Sequence, residues 1–144
     1  MSTTNKFLLL SLTVIFLLLT IGVVKKSKQK ISEKNLSSKE NEGGNVTVTV
    51  TPKVLEIGKN PVFEIEFETH SVDLAFDVTK QSSLVDNKGN IFSQSTWNGS
   101  PPGGHHRSGI LSFNNSLAQT NNVELIIKNI SGVAERKFKW NLQL

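Results

Sequence analysis

The chain contains no cysteine and only one methionine, Met1, among its 144 residues. Without cysteine there is no disulfide framework, no zinc knuckle and no lipid-anchoring thiol. The Cys-His-Met ligand set of blue copper and a methionine-rich copper(I) motif are excluded for the same reason. Serine-elbow, phosphate-loop and dinucleotide-binding patterns are also missing from the sequence. The sequence therefore predicts a protein that is not an enzyme.

The larger part of the chain also has no excess of charge. Residues 45–144 carry nine basic and nine acidic side chains, whereas residues 1–44 carry seven lysines against three glutamates. The net charge of +4 therefore belongs to the N-terminal part. Because nucleic-acid-binding domains need a concentrated basic face, we expect no nucleic-acid partner.

A long uncharged run, FLLLSLTVIFLLLTIGVV, occupies residues 7–24. As a helix it would span about 27 Å, close to the thickness of the bilayer core. It predicts one N-terminal transmembrane helix in an anchor comprising residues 1–26. A cleaved signal peptide is the alternative, but its apolar region is usually about 7–15 residues long. The best small-x-small cleavage site here, Thr20-Ile-Gly22, is also poor.

The charged residues that flank this anchor favour an orientation opposite to the one expected for an exported domain. Four lysines follow the run and only Lys6 precedes it, which by the positive-inside rule would place the domain in the cytoplasm. First hydrophobic segments nevertheless often act as export signals, and the domain resembles exported small β-domains. We therefore expect a single-pass membrane protein with an extracytoplasmic domain. Residues 27–45 are polar and lack apolar periodicity, which predicts a flexible linker.

From Val46 onward, apolar residues recur at every second position. This alternation predicts half-buried strands. They are expected at residues 46–51, 63–69, 83–86, 91–94, 109–113, 123–128 and 136–142, with short ones at 54–57 and 74–78. Pro52 is expected to end the first strand, and no convincing helix follows residue 44. Seven to nine short strands predict an all-β, antiparallel sandwich over residues 46–144, either immunoglobulin-like or cupredoxin-like.

Two polar breaks in this pattern contain all three histidines. Thr69–Asp73 follows a strongly alternating strand, and a Gly- and Pro-rich loop from Trp97 leads into Gly103–Arg107. Because loops gather at the ends of a sandwich, we expect both breaks to lie side by side at one end. His70, His105, His106 and Asp73 together offer imidazole and carboxylate ligands that suit Cu(II) or Zn(II). In the alternative, the histidines hold the loop through hydrogen bonds to the backbone and to Asp73.

Three further side chains have two interpretations each. Arg107 either binds an anion together with the amides of Gly103 and Gly104, or pairs with a carboxylate such as Asp73 or Asp77. Trp97 and Trp140 are expected to be core anchors rather than a binding platform.

The two breaks also carry a resemblance. Thr-His-Ser-x-Asp-Leu at Thr69–Leu74 and Gly-Gly-His-His-Arg-x-Gly-x-Leu-x-Phe at Gly103–Phe113 resemble a group of small exported or membrane-anchored microbial proteins. The resemblance covers roughly residues 46–142. It implies a β-sandwich in which His70, His105, His106 and Arg107 form one site, and it supplies no activity.

The sequence thus leaves two functions open. One is a non-catalytic, membrane-anchored extracytoplasmic binding or structural module, whose histidine loop contacts a protein partner. The other is an extracytoplasmic metal-binding protein for Cu or Zn.

Overall fold

A computed structural model describes residues 36–142, which belong to the unit Ser32–Leu144. The predicted transmembrane helix and residues 27–35 of the predicted linker lie outside these residues. Within 36–142 no helix is long and apolar enough to cross a membrane. The elements are β1 Lys39–Gly43, β2 Val46–Val54, β3 Val62–Thr69, α1 Val78–Gln81, β4 Ser82–Asp86, β5 Ile91–Phe92, β6 Ser95–Gly99, β7 His106–Phe113, β8 Asn122–Ile130 and β9 Val133–Asn141.

The strands form two antiparallel sheets, which confirms the predicted all-β sandwich. One sheet has the order β1-β2-β3-β7-β6 and the other β5-β4-β8-β9. The β4–β5 hairpin turns at Asn87–Asn90, and Gly89 supplies the positive φ of 85° that the turn requires.

The core lies between the inward faces of the two sheets. β2 and β3 contribute alternate residues such as Val48, Ile65 and Phe67, all completely buried. Trp140 from the opposite sheet is 1% exposed and lies 5.4 Å from the ring of Phe63. A polar indole nitrogen needs a partner when it is buried. Trp140 Nε1 accordingly donates to the carbonyl of Ser37 at 2.9 Å.

Trp97 is also a core anchor, as predicted. It is partly buried, packs against the hydrophobic core and lies 6.4 Å from the ring of Phe67. Its Nε1 donates to the carbonyl of Ser100 at 3.0 Å. The indole covers a close approach of two strands, because a Cβ atom on Gly109 would lie 2.7 Å from Trp97 Cζ2 and 2.5 Å from Gly99 Cα.

Five sequence predictions of secondary structure are wrong. The short strand predicted at residues 54–57 does not form, because β2 ends at Val54 and Ile57 makes only an isolated bridge to Leu117. Residues 39–43, predicted as linker, form β1, which pairs with β2 from Lys39↔Val50 to Gly43↔Val46. Pro52 does not end β2, because the strand continues to Val54 through an irregularity in register. The predicted strand at residues 74–78 is irregular and leads into the helical turn α1. Trp97, predicted to begin a loop, lies inside β6.

Candidate functional site

The segments Thr69–Asp73 and Gly103–Arg107 lie side by side, which confirms the predicted juxtaposition. Three backbone hydrogen bonds join the two connections that contain them: Thr69 N to His105 O at 3.0 Å, Leu74 N to Gly104 O at 3.0 Å and Gly103 N to Leu74 O at 2.9 Å. We call this part of the sandwich the loop end. It comprises residues 69–77 and 99–106 together with the nearby turns at residues 43–46 and 130–133.

Asp73 fastens the second segment to the first. Its Oδ1 accepts a hydrogen bond from Gly104 N at 2.8 Å. Gly103 and Gly104 have φ of 109° and 79°, a backbone region that favours glycine. Because the amide of Gly103 is also bonded, to Leu74, neither glycine amide is free for an anion. The predicted anion site is therefore wrong in one respect: the amides of Gly103 and Gly104 are not available to bind an anion.

Arg107 is a buried clamp rather than a ligand-binding cation. It is only 2% exposed, and its Nη1 donates to the carbonyls of Leu74 at 2.7 Å and Phe76 at 2.8 Å. Nη2 makes a longer bond of 3.4 Å to the carbonyl of Ser100. The guanidinium carbon also lies 4.9 Å from the centre of the Phe76 ring. One side chain thus ties the segment after β3 to the segment after β6.

The charge of Arg107 is balanced at a distance. Burial lowers the pKa of Arg107, and the negative charge of Asp77 opposes that change. The carboxylate of Asp77 itself accepts hydrogen bonds from the backbone N and Oγ1 of Thr79, at 3.0 and 2.7 Å. The predicted alternative, a direct pairing of Arg107 with Asp73 or Asp77, is therefore replaced by bonds to backbone carbonyls.

The three histidines are exposed, and two of them are neighbours. The rings of His70 and His106 are 6.2 Å apart and nearly perpendicular, while His105 contributes its carbonyl to the bond with Thr69. Residues 36–142 contain no group of three or more His, Cys, Asp or Glu side chains placed to bind a metal ion. The predicted set of His70, His105, His106 and Asp73 is thus not assembled as a metal centre, because Asp73 faces Gly104 instead.

A groove of about 290 Å³ lies beside His70, and we call it the histidine groove. It is lined by Glu42, Asn45, Thr47, Glu68, Thr69, His70 and Ser71. The strand register explains its composition, because Glu42, Thr47, Glu68 and His106 face one another across β1, β2, β3 and β7. Two carboxylates and an imidazole pair therefore share one rim.

The outer face of the same sheet is acidic. The strand register places Glu40, Glu42, Glu64, Glu66 and Glu68 on this face. Lys53 pairs with Glu64 at 2.6 Å and leaves the carboxylates of the histidine groove without that cation. Among the described residues, the groove carboxylates of Glu42 and Glu68 form no ion pair.

The sequence did not indicate that Arg136 is a second clamp. It is 0% exposed and donates to the carbonyls of Gly43 at 2.6 Å, Val46 at 3.3 Å and Ile130 at 3.3 Å. It therefore joins the β1–β2 turn to the β8–β9 turn. The sequence could have indicated this role, because Arg136 shares the inward face of β9 with Phe138 and Trp140.

No protein-family model, curated protein or solved structure matches the chain. The resemblance drawn from the two motifs therefore stays a prediction. The site combines a hydrogen-bonded backbone platform, exposed imidazoles and a carboxylate-lined groove.

Proposed function

We propose that the protein is a non-catalytic binding module whose contact surface is the histidine groove and its rim. The partner we infer is a protein segment carrying lysine or arginine side chains. The observation that carries this proposal is the pair Glu42 and Glu68 lining one groove beside His70. The two carboxylates lie on β1 and β3, on either side of Thr47 of β2, so they attract cations without requiring the backbone of the site to reorganise.

The fixed backbone of the loop end is preorganised for binding a partner. Arg107 and Asp73 hold the backbone of the two segments in place, so that backbone needs little additional ordering when a partner binds. Preorganisation of this kind raises affinity because it reduces the entropy lost on association.

Binding of a tetralysine peptide to the full-length protein tests this proposal. Isothermal titration at low and at high salt would measure affinity for wild type, Glu42→Gln and Glu68→Gln. Each substitution should weaken binding about two- to fivefold, as expected for a partly exposed ion pair. Glu124→Gln is the matched control, since Glu124 lies opposite Lys139 in the other sheet. Equal effects of all three substitutions would contradict the assignment of the groove.

We further infer an immunoglobulin-like arrangement of the sandwich. The strand order supports it: β2-β3-β7-β6 corresponds to strands A-B-E-D, and β5-β4-β8-β9 adds one edge strand to C-F-G. β1 is then an additional strand beside A. An experimental structure in which the two sheets are joined by a different connectivity would overturn this inference.

The proposed location is the outer surface of a membrane, with residues 7–24 as the retained anchor. The length and apolarity of that run support the proposal. Protease treatment of intact cells should release the domain and leave a membrane-bound stub. A domain that resists cleavage until lysis would instead place it inside, as its flanking lysines favour.

A further inference from the structure

A second groove, of about 540 Å³, lies on one side of the sandwich, away from the histidine groove. We call it the serine groove. It is lined by Thr79, Lys80, Gln81, Ser82, Ser83, Ser93, Gln94, Ser95, Asn114 and Lys128. Every lining side chain is polar, and its volume is within the range of about 300–1,000 Å³ typical of small-ligand sites.

The groove lies at one side of the sandwich, where the edges of the two sheets are not covered by a further strand. β5 pairs only with Leu84 and Val85, so it leaves the β4 edge at Ser82 and Ser83 uncovered. The chain then crosses from β5 to the first residue of β6, Ser95, at the edge of the other sheet. The lining thus combines the edges of both sheets with the helical turn α1.

Two serines occupy inward positions where a closed sandwich would place apolar side chains. Ser82 alternates with Leu84 on β4 and is 4% exposed, and Ser95 alternates with Trp97 on β6. Among the described residues, neither Oγ has a hydrogen-bond partner, although both are buried. An unpaired buried hydroxyl is destabilising, so its presence in a groove lining needs a reason.

We propose that the serine groove binds a saccharide, with a preference for one that carries a carboxylate. Serine hydroxyls and the amides of Gln81, Gln94 and Asn114 both donate and accept hydrogen bonds, as sugar hydroxyls do. The Oγ atoms of Ser82 and Ser95 are hidden from solvent in the free protein, so each would reach such a ligand by rotating about χ1 to another staggered position. Lys80 and Lys128 supply positive charge, and no carboxylate lines the groove. Both lysines form ion pairs with carboxylates outside the lining, Asp77 at 3.6 Å and Glu135 at 3.2 Å. Because these pairs are exposed and contribute little, a ligand carboxylate can replace them.

A peptide strand fits this groove less well. Peptides that extend a sheet edge gain specificity from pockets for alternate side chains. The serine groove offers no apolar side chain for such a pocket, whereas a ligand with many hydroxyls can satisfy the polar groups along its length.

The test uses the full-length protein in a phosphocholine detergent, because detergents with sugar headgroups would compete. Isothermal titration with tetragalacturonic acid, maltotetraose and the peptide Ac-Val-Thr-Val-Thr-NH₂ compares the three ligand classes. We expect tetragalacturonic acid to bind most tightly. Ser82→Ala should weaken that binding about two- to tenfold, the effect of one hydrogen bond. The same variant should melt at a higher temperature than wild type without ligand, since it removes an unpaired hydroxyl.

Ser108→Ala is the matched control, because Ser108 is exposed on the outer face of β7. It should leave affinity unchanged. Failure of both saccharides to bind, or binding that Ser82→Ala does not weaken, would overturn the proposal. Tighter binding of the peptide would overturn the ligand class. Neither result depends on the histidine groove, so Glu68→Gln should not alter saccharide binding.

Discussion

Replacing Arg107 with methionine tests the clamp at the loop end. Methionine keeps much of the apolar stem but removes two short hydrogen bonds from a charged donor, each contributing about 1.5–3 kcal/mol. It also removes a cation–π contact with Phe76 worth about 0.5–2 kcal/mol. Against these losses, the folded state no longer buries a charge, and that relief amounts to several kcal/mol. We expect the free energy of unfolding to fall by about 2 kcal/mol and the melting temperature to fall by about 8–12 °C.

Amide hydrogen exchange of the full-length protein distinguishes this clamp from a general loss of stability. Arg107→Met should accelerate exchange locally in residues 70–77 and 100–105. Arg136→Met is the matched control, because Arg136 is equally buried and should instead loosen the turns at residues 43–46 and 130–133. Identical exchange patterns in the two variants, or unchanged protection in Arg107→Met, would refute the clamp.

Two further substitutions test the packing and the β4–β5 turn. Gly109→Ala should destabilise the sandwich by about 1–3 kcal/mol, because its Cβ would lie 2.5 Å from Gly99 Cα; denaturant unfolding equal to that of Ser108→Ala would contradict this close approach. Asp86 is desolvated, which raises its pKa, but hydrogen bonds from Asn90 and Lys88 outweigh that effect and lower the pKa overall. Its carboxylate therefore stabilises the fold above about pH 4 and loses that effect as pH falls through the folded pKa. Asp86→Asn should cost about 1–3 kcal/mol at pH 7 and less at pH 3, and an equal cost at both pH values would show that the charge is unimportant.

The strands predicted correctly are those in which apolar and polar residues alternate, so that the sequence shows which face is buried. Val46–Val50 and Phe63–Phe67 alternate β-branched or aromatic residues with polar ones, and only a strand places such residues on one face. The strand β1 was missed because its alternation is between polar residues: it is an edge strand with the sequence KENEG, which is paired by its backbone rather than by apolar side chains. β6, with the sequence STWNG, was missed for a similar reason.

The candidate site was predicted in its position but not in its chemistry. Loops gather at the ends of a sandwich, so the two polar breaks were expected to meet, and they do. Arg107 points inward because it shares the face of the buried Leu111 and Phe113 on β7, opposite the fully buried Phe67. The alternation of apolar residues was recognised only from Ser108 onward, so Arg107 was assigned to the loop and interpreted either as an anion ligand or as the partner of a carboxylate.

The two buried arginines explain how a polar end of the sandwich keeps a defined shape. Apolar side chains cannot satisfy the carbonyls of Leu74, Phe76 and Ser100, which the chain exposes to the interior as it leaves the strands. A guanidinium spreads five N–H donors around a rigid plane and so reaches carbonyls of separate chain segments, whereas an ammonium offers three donors on a single nitrogen. Because the buried Arg107 binds the backbone from within and the exposed Asp73 binds it from the surface, the imidazoles of His70, His105 and His106 are not needed to hold the loops. Apart from Asp73, the outer surface of the loop end can therefore change its side chains for recognition without losing the backbone geometry beneath it.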